Sequence, residues 1–277
     1  MKWLMRGWLL AWLVLSVIHV TQSIWLSGFA AYPGDLGDGR FNQLVLEHGF
    51  QSLRGIYSWS SPGQFYPAPN TLGLSDTHAG TLPIYVLLRW CGLPLESAWQ
   101  AWFVVVATLN AWAALRLFSA LRTVPILRGP LTLASISSVP MVWIAGTHMQ
   151  ILPVFPLVFA WAEFARWNSD RGWLRVLTAF GWFAWQFAAA PYIAFLGGVL
   201  TACIALSWVI GRSSAVTVVT HGNRRQRWLR AIVIVALGGT LAFASARIYV
   251  GSVQAGAGRS MREVIDLAPT LRSWFTA

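Results

Sequence analysis

Four side chains with acid–base or ligating chemistry follow the first apolar segment of the chain: Asp35, Asp38, Asp76 and His78. Two carboxylates three residues apart at a membrane surface suit a general base, which takes a proton from an acceptor hydroxyl while a leaving group departs. Partial desolvation raises the pKa of such a carboxyl group toward neutral pH. The same four residues also form a set of hard oxygen ligands plus one imidazole, so a divalent cation is an alternative occupant.

Structural roles compete with chemical ones at these positions. Asp38 is a candidate N-cap of one helix, and Ser75 or Asp76 is a candidate N-cap of the next. Asp35 lies in a Pro-Gly-Asp-Leu-Gly stretch that is typical of a turn. The spacing alone leaves both kinds of role open.

These residues belong to a long connection, Tyr32–Gly80, which has 49 residues and four of the nine acids of the chain. Loops of this length without regular structure are usually functional. Apolar residues recur at helical spacing between Phe41 and Phe50, which predicts a short amphipathic helix at the membrane interface that ends at Gly49. The aromatic stretch Tyr57–Tyr66 fits the headgroup level of a bilayer, and a second helix is predicted over Leu82–Trp90.

The composition of the whole chain excludes an ordinary soluble domain. Apolar residues make up 56% of the chain and charged residues only 10%. An average globular protein has about 25% charged residues. The net charge is +11, but the basic residues lie between long uncharged runs. We therefore interpret the basic excess as a topology signal rather than a nucleic-acid-binding surface.

The uncharged runs predict an all-α polytopic membrane bundle of about seven spans. A span needs about 20 apolar residues, and each run of 34 or 36 uncharged residues is long enough to fold back as two helices. The expected spans are Gly7–Phe29, Leu95–Phe118, a pair between Arg128 and Glu163 that breaks at Gly146–Pro153, a pair between Arg175 and Arg212 that breaks at Ala190-Pro191, and Ala231–Val250.

The charge distribution predicts the orientation of these spans. With a cytoplasmic N-terminus, 13 of the 20 basic residues lie on the inner side and most of the acids on the outer side, as the positive-inside rule requires. The loop 32–80 and the tail are then extracytoplasmic, in a multi-pass membrane protein. Residues 1–250 form the membrane module, and 251–277 are expected to begin an outer C-terminal segment of a longer protein.

Other polar residues on the predicted outer side are further candidates. His148 and Gln150 occupy the predicted turn between the third and fourth spans. Arg247 lies near the outer end of the last span, where a guanidinium either reaches the interface or binds a phosphate in a bidentate manner. Arg259 in the tail has the same potential role.

The loop resembles a bacterial group of uncharacterised proteins in the GT-C superfamily of membrane glycosyltransferases. The layout is similar, with a first span followed by an acidic motif and a membrane-parallel helix, and the match covers about Tyr32–Trp102. It is carried by Gly34-Asp35-Leu36-Gly37-Asp38-Gly39-Arg40-Phe41-Asn42, Leu46-Glu47-His48, Phe65-Tyr66-Pro67, Ser75-Asp76 and Pro83-Ile84-Tyr85.

The resemblance implies a glycosyltransferase that takes a sugar from a polyprenyl-phosphate donor on the outer face of the inner membrane. Asp38 would be the catalytic acid–base residue, with Asp35 as its helper. The acceptor would be a hydroxyl group of a glycan, lipid or protein. Substrate binding is assigned to Arg40, Asp76, His78, His148, Arg247 and Arg259.

Two rival functions come from other classes. A transporter is expected to carry polar or charged residues at mid-membrane and broken helices in matching halves. Charges are nearly absent from the middle of the predicted spans, which disfavours transport. A non-catalytic membrane scaffold, or a protein that only binds lipid-linked glycans, remains compatible with the same loop.

Overall fold

The fold is all-helical throughout the residues that the computed structural model describes, namely 2–63, 66–138, 146, 148–170, 172–210 and 224–254. Two short 3-10 helices, Leu72–Leu74 and Met149–Ile151, lie in the connections. The α-helices of this part are α1 (Lys2–Val20), α2 (Gln22–Leu26), α3 (Asp38–Leu53), α4 (Leu82–Trp90), α5 (Leu95–Ala120), α6 (Pro125–Ile136), α7 (Phe155–Asp170), α8 (Trp173–Ala189), α9 (Pro191–Ile210) and α10 (Arg224–Gln254).

Three of the described helices are long and apolar enough to cross a membrane. They are α1, α5 and α10, with apolar stretches at Trp3–Val20, Leu95–Ala120 and Arg225–Gln254. The chain is therefore described as a helical membrane protein with these candidate spans. The number seven and the orientation of the spans remain proposals.

Several predicted boundaries are wrong. The run Gly7–Phe29 is not one helix, because α1 ends at Val20 and α2 begins after Thr21. The Thr21 hydroxyl donates to the carbonyl of Val17 at 2.6 Å. The same hydroxyl accepts from the Trp25 indole at 2.7 Å. The Thr21 N–H donates to the same Val17 carbonyl at 3.0 Å, so the hydroxyl shares this acceptor at the point where α1 ends.

The later boundaries follow the sequence more closely. α8 ends at Ala189 and α9 begins at Pro191, which confirms the break predicted at Ala190-Pro191. The other predicted break, Gly146–Pro153, lies between α6, which ends at Ile136, and α7, which begins at Phe155. α10 continues past Val250 to Gln254, so the helix does not end at the predicted module boundary.

α8 and α10 pack closely because small residues face each other. A Cβ added to Gly181 would lie 2.8 Å from the backbone nitrogen of Val235, and a Cβ added to Gly238 would collide with the backbone of Gly181. Such close approach through small residues is the usual way in which membrane helices associate.

The N-terminal end of α5 holds the start of the long loop in place. The Trp99 indole donates to the carbonyl of Pro33 at 2.6 Å, and the Gln100 amide donates to the carbonyls of Phe29 and Ala31 at 2.9 and 2.7 Å. Trp99 is completely buried and stacks on Trp102 at 4.9 Å. The backbone leading into the acidic motif is therefore fixed by the core.

The second half of the loop is docked on α8 and α10. The Gly80 N–H donates to the carbonyl of Ala188 at 2.8 Å, and the Trp185 indole donates to the carbonyl of Gly80 at 2.8 Å. The Gly73 N–H donates to the hydroxyl of Ser252 at 3.0 Å. Both halves of the connection are thus bound to the helical bundle.

The other end of the bundle contains a buried ion cluster, which we call the Glu163 cluster. Glu163 on α7 is 1% exposed, and its carboxylate contacts Arg166 at 3.0 Å, Arg175 at 2.9 Å and Arg230 at 2.6 Å. Arg166 also donates to the backbone carbonyl of Arg116 on α5 at 3.2 Å. One carboxylate therefore joins α7, α8 and α10, and Arg166 links them to α5.

Candidate active site

Glycines shape the turn that carries the two acids of the motif. Gly34 has φ +113° and Gly146 has φ +67°, and a Cβ on Gly34 would lie 2.8 Å from the Cα of Gly39. The Asp35 N–H donates to the carbonyl of Gly146 at 3.3 Å. Side chains larger than hydrogen do not fit this contact, which brings the loop against the segment before α7.

The two acids have different local roles from those predicted as structural alternatives. Asp35, rather than Asp38, caps α3, since its Oδ1 accepts from the Gly39 N–H at 2.7 Å. Asp38 is the first residue of α3 and Gly37 is the N-cap. The N-cap role considered for Asp38 is therefore wrong, and its carboxylate is not used in capping.

Two further predicted helix boundaries in this region are also wrong. α3 continues through Gly49 to Leu53, because Gly49 packs against the side chain of Leu82 instead of ending the helix. α4 has Thr81 as its N-cap, so neither Ser75 nor Asp76 caps it.

Asp38 is paired with a histidine that lies far away in the sequence. The Asp38 Oδ2 lies 2.9 Å from the Nδ1 of His148, with the side chains 44% and 57% exposed respectively. When the neutral imidazole donates its Nδ1–H to Asp38, its Nε2 is left as an acceptor. An accessible carboxylate–imidazole pair of this kind is suited to taking up a proton from a substrate hydroxyl.

A polar network connects this pair to the protein interior, and we call it the Asn42 network. Asn42, one turn after Asp38 on α3, donates to the Asp38 carbonyl and to the Oε1 of Gln150, the latter at 3.2 Å. Its Oδ1 contacts the Nε2 of His78. Gln150 approaches the His148 ring at 3.5 Å. The network joins three segments that are distant in sequence.

His78 is the buried end of the Asn42 network. It is completely buried, its ring meets the Trp102 ring edge-on at 5.9 Å, and its Nδ1 has no partner. Burial lowers the pKa of His78 from 6.5 to about 4, so the ring is neutral at physiological pH. A neutral buried ring orients Asn42, and it is placed to support the site rather than to contact a substrate.

The backbone at both histidines is unusual. His78 has φ +52° and His148 has φ +55°. Both values lie in the left-handed region that non-glycine residues seldom adopt. Such conformations cost about 1–2 kcal/mol each and persist where the surrounding structure imposes them. Tertiary contacts, rather than local preference, therefore fix the direction of both rings.

Asp76 lies apart from the Asp38–His148 pair, next to the end of α10. The following residue, Thr77, uses its N–H to donate to the Tyr249 hydroxyl at 3.3 Å. Burial raises the pKa of Asp76 from 3.8 to about 6. Because the folded state holds this proton at a higher pH than the unfolded chain, the carboxylate lowers stability as the pH rises from about 4 through about 6.

We therefore expect Asp76→Asn to raise the Tm at about pH 7.5 and to leave it nearly unchanged at about pH 4. Thermal unfolding of detergent-purified protein at the two pH values measures this difference. Glu96→Gln, which alters an exposed carboxylate, is the matched control and is expected to show no such pH dependence. An equal Tm change at both pH values for Asp76→Asn would contradict the assignment.

Two of the remaining predicted substrate-binding residues, Arg40 and Arg247, are exposed on α3 and α10. Arg40 lies on the opposite side of α3 from Asp38 and Asn42, because it is two positions from each of them on a helix of about 3.6 residues per turn. Arg247 is exposed on α10, with its guanidinium 6.0 Å over the Phe243 ring. Arg259 lies outside the described residues.

The four candidate metal ligands do not form a common site. Asp35 caps α3, Asp38 pairs with His148, His78 bonds to Asn42, and Asp76 precedes the contact with Tyr249. Within the described ranges no group of three or more His, Cys, Asp or Glu side chains is arranged to hold a metal ion.

Sequence reasoning missed Asn42 and Glu163. Asn42 stands inside the acidic motif, and its position one turn after Asp38 was an available signal. Glu163 is an acid inside a long apolar segment, and such a residue usually has a partner.

Comparison of the chain with protein-family models, with curated proteins and with solved structures gave no match.

Proposed function

We propose that the chain crosses a bacterial inner membrane with its N-terminus in the cytoplasm and the loop 32–80 outside. Two polar regions at opposite ends of α5 support this. Trp99 and Gln100 bind the loop, whereas Arg116, near the other end of the helix, joins the Glu163 cluster. At about 1.5 Å per residue these regions are about 25 Å apart, close to the hydrocarbon thickness of about 30 Å.

Topology reporters test this orientation directly. We expect a reporter fused after Gly80 to report the extracytoplasmic side and one fused after Asp170 the cytoplasmic side. The reason is that the arginines of the Glu163 cluster remain with the inner leaflet while the acidic loop does not. The signals of paired alkaline phosphatase and fluorescent-protein fusions are the measurement. The reverse pattern would contradict both the topology and the reaction proposed below.

We further propose that the protein is an inverting glycosyltransferase of the GT-C type, with Asp38 as its general base. The Asp38–His148 pair carries this proposal, since it is accessible, held in place by buried groups and free of a capping role. The Asn42 network and Asp35 position the pair. Arg247, on the exposed side of α10 near the docked loop, is assigned to the phosphate of the donor.

The proposed reaction is a single displacement at the anomeric carbon of a polyprenyl-phosphate sugar. The acceptor hydroxyl oxygen forms the new bond to the anomeric carbon as the bond from that carbon to the phosphate oxygen breaks. The electron pair leaves with polyprenyl phosphate, and Asp38 takes the proton of the hydroxyl with the support of His148. Phosphate is a good leaving group, so proton removal and positioning are the main tasks of the protein.

Surface-glycan analysis of a deletion strain tests the catalytic assignment. Complementation with the intact chain is expected to restore a glycan modification. Complementation with Asp38→Asn is expected to leave the modification absent, although the variant inserts normally into the membrane. Leu36→Asn is the matched control, because it places the same amide at a position that is 80% exposed in the same turn. Asp35→Asn is expected to give partial loss through poorer capping, and the double variant complete loss. Unchanged glycans in the double variant would favour the non-catalytic scaffold.

A further inference from the structure

A cavity lined by both polar and apolar side chains lies between α3 and the start of α5, and we call it the α3–α5 cavity. Its volume is about 520 Å³. Small-ligand sites usually have volumes of roughly 300–1000 Å³, so the cavity is large enough for a small molecule. Arg40 and Glu96 are exposed at its opening. The lining consists of Tyr32, Arg40, Gln43, Leu44, Glu47, Leu95 and Glu96.

The inner wall of this cavity contains two buried polar groups without partners. Gln43 is 9% exposed, and neither its Nε2 nor the buried Tyr32 hydroxyl has a hydrogen-bond partner among the described residues. Burial and the nearby Glu96 carboxylate raise the pKa of Tyr32, so its hydroxyl keeps its proton and remains a donor. Unpartnered buried donors are costly. Because both residues line the cavity, a rotation of either side chain would present its donor to a ligand hydroxyl.

The cavity is distinct from the Asp38–His148 pair. Arg40, Gln43, Leu44 and Glu47 recur at helical spacing and share one face of α3, whereas Asp38 and Asn42 lie on the opposite face. The two regions therefore use different sides of the same short helix.

The charges around the cavity disfavour both anions and cations as ligands. Arg40 is accompanied by the opposite charge of Glu96, so the cavity offers no net positive charge to a phosphate. Glu47 is neutralised by Arg89 at 3.0 Å, and Arg40 opposes a free cation. What remains is a mixture of donors and acceptors flanked by two leucines, which suits an uncharged polyhydroxylated molecule.

We propose that the α3–α5 cavity binds a neutral saccharide unit of the acceptor. The choice of a saccharide rests on the proposed glycosyltransferase function, but the occupancy of the cavity by a neutral polyhydroxyl ligand does not. Arg40, Glu96 and Gln43 are its binding residues, through hydrogen bonds to ring hydroxyls.

Ligand-observed saturation-transfer NMR on the purified full chain tests this binding. The detergent must lack a sugar headgroup, and the probes are maltotriose and N,N′-diacetylchitobiose, with glucose 1-phosphate as the anionic comparison. At least one neutral saccharide is expected to bind more tightly than glucose 1-phosphate. Arg40→Gln and Glu96→Gln are each expected to raise its Kd at least about tenfold, because each removes a charge-assisted hydrogen bond.

Arg54→Gln is the matched control, since Arg54 is an exposed arginine at the end of the same helix and bonds to Gln51. It is expected to leave the Kd unchanged. Asp38→Asn is expected to bind the saccharide like the intact protein while losing transfer. If neither neutral saccharide binds, or if both cavity variants bind as the intact chain does, the cavity assignment is overturned. Transfer that persists in Asp38→Asn overturns the catalytic assignment alone.

Discussion

Replacement of Asp38 by asparagine is expected to lower the rate of sugar transfer by about 10²–10⁴-fold, the usual contribution of a positioned general base. The amide has nearly the same shape as the carboxylate but does not take up the proton of the acceptor hydroxyl. The effect is therefore expected in kcat, with little change in the apparent affinity for the donor. Transfer of a labelled sugar in membranes of complemented cells measures it.

Variants of the partner residue distinguish a base from a merely structural carboxylate. His148→Asn is expected to cause a smaller loss than Asp38→Asn, because the imidazole only supports the proton-accepting group from 2.9 Å. Leu36→Asn is expected to retain the full rate. Equal rates for Asp38→Asn and the intact protein, with equal amounts of protein in the membrane, would contradict the role of Asp38.

Replacement of Glu163 by glutamine is expected to destabilise the bundle more than any other single change considered in the protein. Three guanidiniums contact this carboxylate, and glutamine removes the negative charge that they share while pointing an amide NH₂ group toward one of them. Breaking a buried ion pair from one side costs about 3–5 kcal/mol. Because Arg230 is 37% exposed, we expect the lower end, about 3 kcal/mol. This corresponds to a Tm decrease on the order of 6–12 °C.

Glu47→Gln is the matched comparison for Glu163→Gln. Glu47 neutralises a single arginine, Arg89, and its side chain is 15% exposed, so a smaller decrease in Tm is expected. Adding Arg230→Gln to Glu163→Gln removes one of the uncompensated charges and is expected to restore part of the lost Tm. A Tm for Glu163→Gln at or above that of the intact protein would contradict the role of the Glu163 cluster.

The helical class and several boundaries could be predicted from the sequence, because they depend on local patterns. The apolar runs predicted an all-helical fold, which the described residues confirm, and the three candidate spans support its location in a membrane. The break before Pro191 was predictable because proline cannot continue a preceding helix. The interruption at Thr21 was missed because the apolar run contains no proline or glycine at that position.

The arrangement of the candidate site could not be predicted in the same way. Asp38 and His148 are far apart in sequence, and their contact depends on the approach of Gly34 to Gly146. Likewise, Glu163 meets Arg230 only because α8 and α10 pack closely through glycines. Such contacts are decided by tertiary packing, for which a single sequence carries no periodic signal.

The most direct test of glycosyl transfer at Asp38 is a reconstituted reaction. The purified full chain is placed in liposomes with radiolabelled polyprenyl-phosphate sugars and a panel of saccharide acceptors, and the formation of labelled product is followed together with released polyprenyl phosphate. We predict stoichiometric release and transfer with the intact chain and with Leu36→Asn, and neither with Asp38→Asn. Transfer by Asp38→Asn at the rate of the intact chain would contradict the role of Asp38 as the base. The absence of transfer from every donor by the intact chain would contradict the proposed glycosyltransferase activity.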